Sequence, residues 1–251
     1  MTLQPDTSVL VVVGGSRGIG AAIARLGAGV GYRVVIGFHH DQAAADAVVA
    51  DIVARGGRAM AMSVDAGDHA SVTHFFDRIE AQWGVPAALA HCAATRGPDG
   101  PLIDVAPEHI DDAIRTNLVG TFFCVQAAAR RMVRSRGGAG GAIVVLSSEA
   151  ARFGGRRISA YAASKAGVNT LTIGVARELA NDGVRLNAVS PGAIETEWQA
   201  ALPEAAREAL ISTIPAGRLG SPEEVARTVL WLLSPEASYV TGSIVTVAGG
   251  R

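Results

Sequence analysis

Tyr161 and Lys165 stand four positions apart, which on a helix places both side chains on one face, a turn from each other. A phenol titrates near pH 10 and is a poor acid or base at neutral pH, but a cation a few ångströms away lowers that value by roughly 1 to 3 units. The pair is therefore expected to work as a general acid/base. Alone it carries little weight, because Y-x-x-x-K occurs by chance on many exposed helices. Its surroundings decide whether it is a site.

Those surroundings run from Ile143 to Gly167. The β-branched run Ile143 to Leu146 ends in Ser147 and Ser148, and a loop rich in glycine and arginine leads to a helix beginning near Tyr161. The order is strand, loop, helix. Near the N-terminus, Val9 to Val13 is a continuous apolar run of the kind buried on both faces of a parallel sheet. It feeds into GGSRGIG, where Gly14, Gly18 and Gly20 precede a helical pattern that closes at glycine. Such a turn lets backbone N–H groups and a helix N-terminus meet a pyrophosphate.

Arg33 to Phe38 reads as the next strand, and its end is where a dinucleotide's adenosine ribose would lie. Phe38, His39 and His40 occupy that end, with Arg17 in the glycine turn, a set that favours NADP(H) over NAD(H). Asp41 speaks for NAD(H), lying roughly 20 residues beyond the turn; it reads more naturally as the N-cap of the alanine-rich helix that follows.

Strand and helix keep alternating. Arg58 to Val64 is a strand ending at Asp65, Asp68 or Ser71 starts a helix to Trp83, and Ala87 to His91 is a fourth strand before the loop CAATRGPDGP. A long helix starts at Pro107, its core stripe marked by Ile110, Ile114, Leu118, Phe122 and Val125. Asn117 interrupts that stripe, and an amide there needs a buried partner or a task. Arg130, Arg131, Arg134 and Arg136 read as a solvated helix end. Val184 to Val189 and Ser243 to Val247 are the last strands, Ser221 caps a helix, and residues 195–215, Pro203 to Ile211 above all, form a candidate flap. The pattern defines an α/β fold, a doubly wound parallel sheet of about seven strands with helices on both faces. It is read as one domain, with a cofactor half over about 1–140 and a catalytic and substrate half over 141–251.

Composition narrows the function. With 22 basic and 23 acidic residues the net charge is -1, so nothing draws the chain as a whole to nucleic acid or an anionic membrane. Cys92 and Cys124 have no C-x-x-C spacing and are expected to be buried thiols, and the histidines lack metal-ligand spacing, so no metal is expected. The start MTLQPDTS lacks a signal core, and no apolar stretch is long enough to span a membrane. A cytoplasmic location is expected.

The glycine turn, Asp65, Asn117, Ser148, Tyr161, Lys165 and the turn Ser190-Pro191-Gly192 stand in the order found in the classical short-chain dehydrogenase/reductase family. The chain resembles that family over nearly its whole length, nearest its 3-oxoacyl-[acyl-carrier-protein] reductase-like members. The resemblance implies a single Rossmann-fold domain and reversible hydride transfer between a nicotinamide and a ketone or aldehyde. By resemblance, Tyr161 is the acid/base and Ser148, thirteen residues before it, orients the carbonyl. Lys165 binds the nicotinamide ribose and lowers the phenol's pKa, and Asn117 holds a water linking Lys165 to solvent. Gly14, Ser16, Arg17, Gly18, Ile19 and Gly20 correspond to the pyrophosphate turn, Val64 and Asp65 to the adenine edge. Ala93, Pro191, Gly192, Ile194 and Thr196 fall at the nicotinamide end, and Arg96, Ser148, Glu149, Phe153 and Trp198 are candidate substrate contacts. The family commonly forms homotetramers, a homodimer being the lesser assembly.

Three positions depart from the family pattern: Val13 in place of threonine, His91-Cys92-Ala93-Ala94 in place of N-N-A-G, and Ala248 in place of aspartate. Among substrates, the basic residue that carrier-protein reductases often have at the end of the tyrosine helix is replaced by Asn181-Asp182. Arg96, Arg152, Arg156 and Arg157 fall in loops near the pocket mouth, where they are either solvated or a match for an anionic substrate group. The other readings are a 3-oxoacyl-carrier-protein reductase proper, an NAD-dependent alcohol or sugar dehydrogenase, a nucleotide-sugar epimerase and a non-catalytic NADP sensor.

Overall fold

A computed structural model describes residues 8–200 and 202–251. Its strands are β1 (Val9–Val13), β2 (Arg33–Phe38), β3 (Arg58–Ser63), β4 (Ala88–His91), β5 (Gly141–Leu146), β6 (Val184–Pro191) and β7 (Ile244–Val247). They lie in the order β3-β2-β1-β4-β5-β6-β7, each pair parallel. Because β4 pairs with β1 on the side away from β2, the chain reverses direction across the sheet there, and a crevice opens outside the carboxyl ends of the strands.

The apolar run of β1 follows from this position. Val9, Val11 and Val13 face a layer holding Phe75, Phe76 and Cys124, while Leu10 and Val12 face Ile23, Ile52 and Val225. Successive strand residues point to opposite faces, so a central strand covered on both sides needs an apolar residue at every position.

The covering helices are α1 (Gly18–Gly29), α2 (Gln42–Ala54), α3 (His69–Trp83), α4 (Pro107–Ile114), α5 (Gly120–Met132), α6 (Ala150–Phe153), α7 (Ser159–Leu179), α8 (Glu197–Ala200), α9 (Glu204–Ser212) and α10 (Pro222–Leu233). Several starts match the capping residues read from sequence. The Ala44 N–H donates to Asp41 Oδ1 at 2.9 Å and the Ala70 N–H to Asp68 Oδ1 at 2.9 Å. Ser221 and Glu224 form a reciprocal capping box on α10. Ser71 is not a cap; its hydroxyl accepts from the Asp65 N–H at 3.0 Å.

Four expectations change. Strands β3 and β4 exclude Val64 and Ala87, β6 continues to Pro191, and β7 starts at Ile244. The helix from Pro107 is not continuous, because a π turn over Arg115–Val119 separates α4 from α5 around the buried Asn117. Arg131 is not solvated: its side chain is 15% exposed and pairs with Asp77 and Glu80. Cys124 is buried, whereas Cys92 is partly open. The segment read as a flap holds α8 and α9. No helix among the described residues is long and apolar enough to cross a membrane.

Candidate active site

The carboxyl ends of the strands open on a cleft of about 1620 Å³, larger than the roughly 300–1,000 Å³ of a typical small-molecule pocket. One wall is the turn from β1 into α1. Gly14 and Gly18 have φ of +79° and +50°, and a Cβ would stand 2.6 Å from the Ala93 nitrogen at Gly14 and 2.1 Å from the Gly14 oxygen at Gly20. Only glycine lets the turn lie so flat against β4. Arg17, at the N-cap of α1, makes no side-chain cap, so the first N–H groups of the helix have no side-chain cap and suit an anion.

At the end of β2, the rings of His39 and His40 stack with centroids 3.5 Å apart, and His39 Nε2 is 3.7 Å from Asp65 Oδ2. Asp65 also accepts from the Gly67 N–H at 2.8 Å. Arg17 Nη1 lies 3.2 Å from Glu197 at the start of α8, both side chains largely exposed. Asp41 has its carboxylate on the N-terminus of α2.

At the other end, α7 brings Tyr161 and Lys165 to the cleft, where both are buried. The Lys165 ammonium donates to the Leu146 carbonyl at 2.7 Å and lies 5.9 Å from the Tyr161 ring centre. Burial lowers Lys165 to about 8, with Cys92 acting in the opposite sense. The phenol differs from its expected direction. Burial raises the pKa of Tyr161, and the opposing effects come from the Ser148 hydroxyl and the Arg96 guanidinium. Lys165 has turned its charge to a backbone carbonyl, and removal from water penalises the phenolate more than its neighbours favour it.

The two serines separate cleanly. Ser147 is buried and donates to the Lys165 carbonyl at 3.3 Å. Ser148 accepts from the Ala150 N–H at 3.1 Å, and its hydroxyl acts on the Tyr161 phenol in the direction of a lower pKa.

Of the residues singled out from sequence, those of the glycine turn and the β2 end, Val64, Asp65, Ala93, Pro191, Gly192, Ile194, Thr196 and the five substrate candidates all line the cleft. Asn117 does not. It is fully buried, its Oδ1 accepts from the Thr95 N–H at 2.8 Å, and its Nδ2 donates to the Thr95 carbonyl at 2.8 Å and to Ser164 Oγ at 3.0 Å. Ser164 in turn donates to the Tyr161 carbonyl at 2.7 Å. Glu149 is also tied into the protein: its Oε1 accepts from Ser190 at 3.0 Å and Thr246 at 3.2 Å, joining β6 to β7. Trp198 stands edge-on to Tyr161, centroids 6.1 Å apart, and Phe153 is an exposed part of the mouth.

Thr95, Ser164 and Arg115 were missed by sequence reasoning. Ser164, three residues after Tyr161 and next to Lys165, was open to detection as a hydroxyl on the buried stripe of α7. Thr95 acts through its backbone, which no residue type announces. Arg115 donates to the Gly67 carbonyl at 3.2 Å on the adenosine side. His91, on β4, is buried with both ring nitrogens unpartnered, and burial, aided by Lys165, drops it to about 3.

A wholly parallel sheet whose reversal point holds a glycine turn, with serine, tyrosine and lysine on the opposite wall, is the frame of a nicotinamide-dependent oxidoreductase. Residues 13–251 match a family model described as enoyl-(acyl carrier protein) reductase, and the chain belongs to the classical short-chain dehydrogenase/reductase family. It is 40% identical to the oxidoreductase YgfF of Escherichia coli K12, over 97% of this chain and 100% of that one. It is 38% identical to the 3-oxoacyl-[acyl-carrier-protein] reductase FabG of Staphylococcus aureus Mu50, over 97% and 98%. The crystal structure of a dehydrogenase/reductase from Sinorhizobium meliloti 1021 superposes with a TM-score of 0.90 at 32% identity, covering 98% of this chain and 95% of the other.

Proposed function

We propose that the protein is an NADP(H)-dependent carbonyl reductase that interconverts a small ketone or aldehyde and its alcohol. The observation that carries this reading is the shared place of the Ser148 hydroxyl and the buried Tyr161 phenol on the cleft wall opposite the glycine turn, near enough for Ser148 to act on the phenol. Two hydroxyls so placed converge on one substrate oxygen.

The cleft fits a dinucleotide, since the Gly14 and Gly20 positions have no room for a side chain and α1 presents an N-terminus without a side-chain cap. The turn from Gly14 to Gly20 would hold the pyrophosphate, Val64 and Asp65 the adenine. Pro191, Gly192, Ile194 and Thr196 would hold the nicotinamide end, with Ala93 facing it. Arg17, His39 and His40 would meet the 2′-phosphate, which is the basis for preferring NADP(H). When bound, the nicotinamide supplies hydride to the carbonyl carbon or takes it back from the alcohol.

Ser148 donates to the carbonyl oxygen and fixes its position. Tyr161, kept protonated by its burial, gives its proton to that oxygen during reduction and recovers one from solvent. Lys165 sits under the phenol as the charge that favours the transient phenolate, and with a ribose at hand its ammonium gains partners besides Leu146. Asn117 positions Ser164 and the Thr95 loop. Trp198 and residues 195–215 act as a flap that keeps water from the carbonyl.

The test is NADPH oxidation with a panel of ketones, wild type against Tyr161→Phe. A loss of about 10²–10⁴-fold is expected, and activity that survives the change removes Tyr161 from the mechanism. A second reading, reduction of a 3-oxoacyl thioester on a carrier protein, draws on the relatives named FabG. It also draws on the end of α7, where Ser135 holds the Asp182 carboxylate by two hydrogen bonds and Arg134 and Arg136 add their charges, so Asp182 does not stand there as a lone negative charge. Turnover of a carrier-bound substrate well above that of the free thioester would select it. A homotetramer is the proposed assembly, supported by the exposed Phe122 and Ile173 on α5 and α7 and Trp231 on α10; light scattering at monomer mass would refute it.

A further inference from the structure

Between β4 and α4, the irregular stretch before a short 3-10 turn at Leu102–Asp104 is anchored at two points. Asn117 grips Thr95 by both its N–H and its carbonyl. At the other end, the Gly100 N–H donates to the Arg157 carbonyl at 3.0 Å. Arg157 has a φ of +69° and is the one non-glycine residue in the left-handed region among the described residues. Backbone held in that region persists where its surroundings fix it. Between these two anchors lies Arg96.

Arg96 is itself held in place but only half used. Asp99 takes Nη2 alone, its two oxygens at 3.0 and 2.9 Å, and Nη1 and Nε have no partner among the described residues. A guanidinium has five N–H donors in a rigid plane, and its open edge matches a carboxylate. Arg156 also lines the cleft, is exposed, and has no hydrogen-bond or ion-pair partner among the described residues. Of the acids in the same cleft, Glu197 pairs with Arg17, and Glu149 is buried with its Oε1 accepting from Ser190 and Thr246 while its Oε2 has no partner among the described residues. Phe153 and Trp198 supply the apolar remainder of the wall.

We propose that Arg96, assisted by Arg156, binds the carboxylate of an oxo acid whose carbonyl lies at Ser148 and Tyr161. Arg96, Arg156, Ser148 and Tyr161 line one cleft, so the carboxylate and the carbonyl belong to the same small molecule. The substrates are oxo acids, the 3-oxo acids among them, and the matching hydroxy acids. The reaction balances as oxo acid plus NADPH plus a proton giving hydroxy acid plus NADP. This inference rests on the carbonyl reduction proposed above.

The experiment compares a 3-oxo acid, its methyl ester and a phosphorylated ketone as substrates of the wild type, Arg96→Gln and Arg96→Lys. The wild type is expected to favour the acid over the ester by about tenfold or more in kcat/KM. Arg96→Gln should bring that ratio close to one, and Arg96→Lys should recover part of it, because charge returns without the fork. An equal loss on acid and ester would make Arg96 a positioning residue and overturn the proposal. So would a wild type indifferent to the carboxylate, or one that prefers the phosphorylated ketone. Calorimetric binding of the hydroxy acid in the presence of NADP reads the site without turnover. Arg96-dependent binding with no reduction of any ketone would defeat the reductase reading and leave the carboxylate site standing, whereas turnover of ketones with Arg96-independent binding would do the reverse.

Discussion

Asn117 bonds Thr95 as a neighbouring strand would, accepting from its N–H and donating to its carbonyl, both at 2.8 Å. A side-chain amide is the one neutral group that copies a peptide in this way. Asn117 thereby determines where the Arg96 loop lies, and through Ser164 it also touches the first turns of α7.

Asn117→Ala should leave the Thr95 peptide and the Ser164 hydroxyl short of partners in a buried place, at a cost of about 2 to 4 kcal/mol. Urea unfolding measures it. The same variant should show a weaker preference for acid over ester, since the Arg96 loop loses its anchor; an unchanged midpoint would mean the amide is replaceable.

Lys165 makes stability depend on alkaline pH. Below about 8 the ammonium is charged in both states, and the fold bears the full cost of burying it. As pH rises from about 8 toward the ordinary 10.5, the unfolded chain holds more protons than the fold, so stability increases. A depression of that size is worth about 3 kcal/mol. Lys165→Met should therefore show an advantage over wild type at pH 7 that shrinks by roughly this amount at pH 10, as followed by denaturant unfolding.

His91 acts at the acid end. It stays neutral in the fold down to about 3, against an ordinary 6.5. Above 6.5 both states are neutral; below it only the unfolded chain takes up the proton, so stability falls by about 1.4 kcal/mol per pH unit until pH 3 is approached. His91→Asn removes the imidazole. Between pH 7 and pH 5 the wild type should lose about 2 kcal/mol more than the variant, and parallel losses would show that His91 does not titrate.

Arg17→Ala tests the cofactor preference. Removing one guanidinium from the proposed 2′-phosphate site should lower kcat/KM for NADPH by about tenfold while leaving NADH little affected. Because Arg17 also pairs with Glu197, Glu197→Gln is the control: it breaks the pair without removing the cation. A preference that moves with Glu197→Gln instead would locate the effect in α8.

The sheet was legible because β1 and β5 are apolar at nearly every position, a pattern produced by cover on both faces. Caps at Asp41 and Ser221 were legible because one side-chain oxygen suffices to make them. Spacing to Tyr161 singled out Ser148, and the hold of Ser147 on the Lys165 carbonyl, which no spacing announces, sets the two serines apart in the fold. The direction of the Tyr161 shift was not, because helical spacing brings Lys165 near without saying that Leu146 offers it a carbonyl. The task of Asn117 was hidden for a similar reason: its partner is a backbone unit 22 residues away. Glu149 lines the cleft beside Ser148, but the hold on its Oε1 by Ser190 and Thr246 was hidden, because those partners lie 41 and 97 residues away in the chain.

The π turn over Arg115–Val119 adds its own constraint on how the chain can vary. A π turn uses about one residue more than an α turn for a similar rotation, so α5 keeps the phase it would have on a helix one residue shorter. Wound as an ordinary α-helix, the same residues would advance every later side chain by about 100°, carrying Val125 and Ala129 off the sheet and swinging Arg131 toward it. Loss of a single residue from the turn should instead leave a regular helix with α5 in place, so such a deletion is expected to spare the packing of α5 and to be felt at the contact between Asn117 and Thr95.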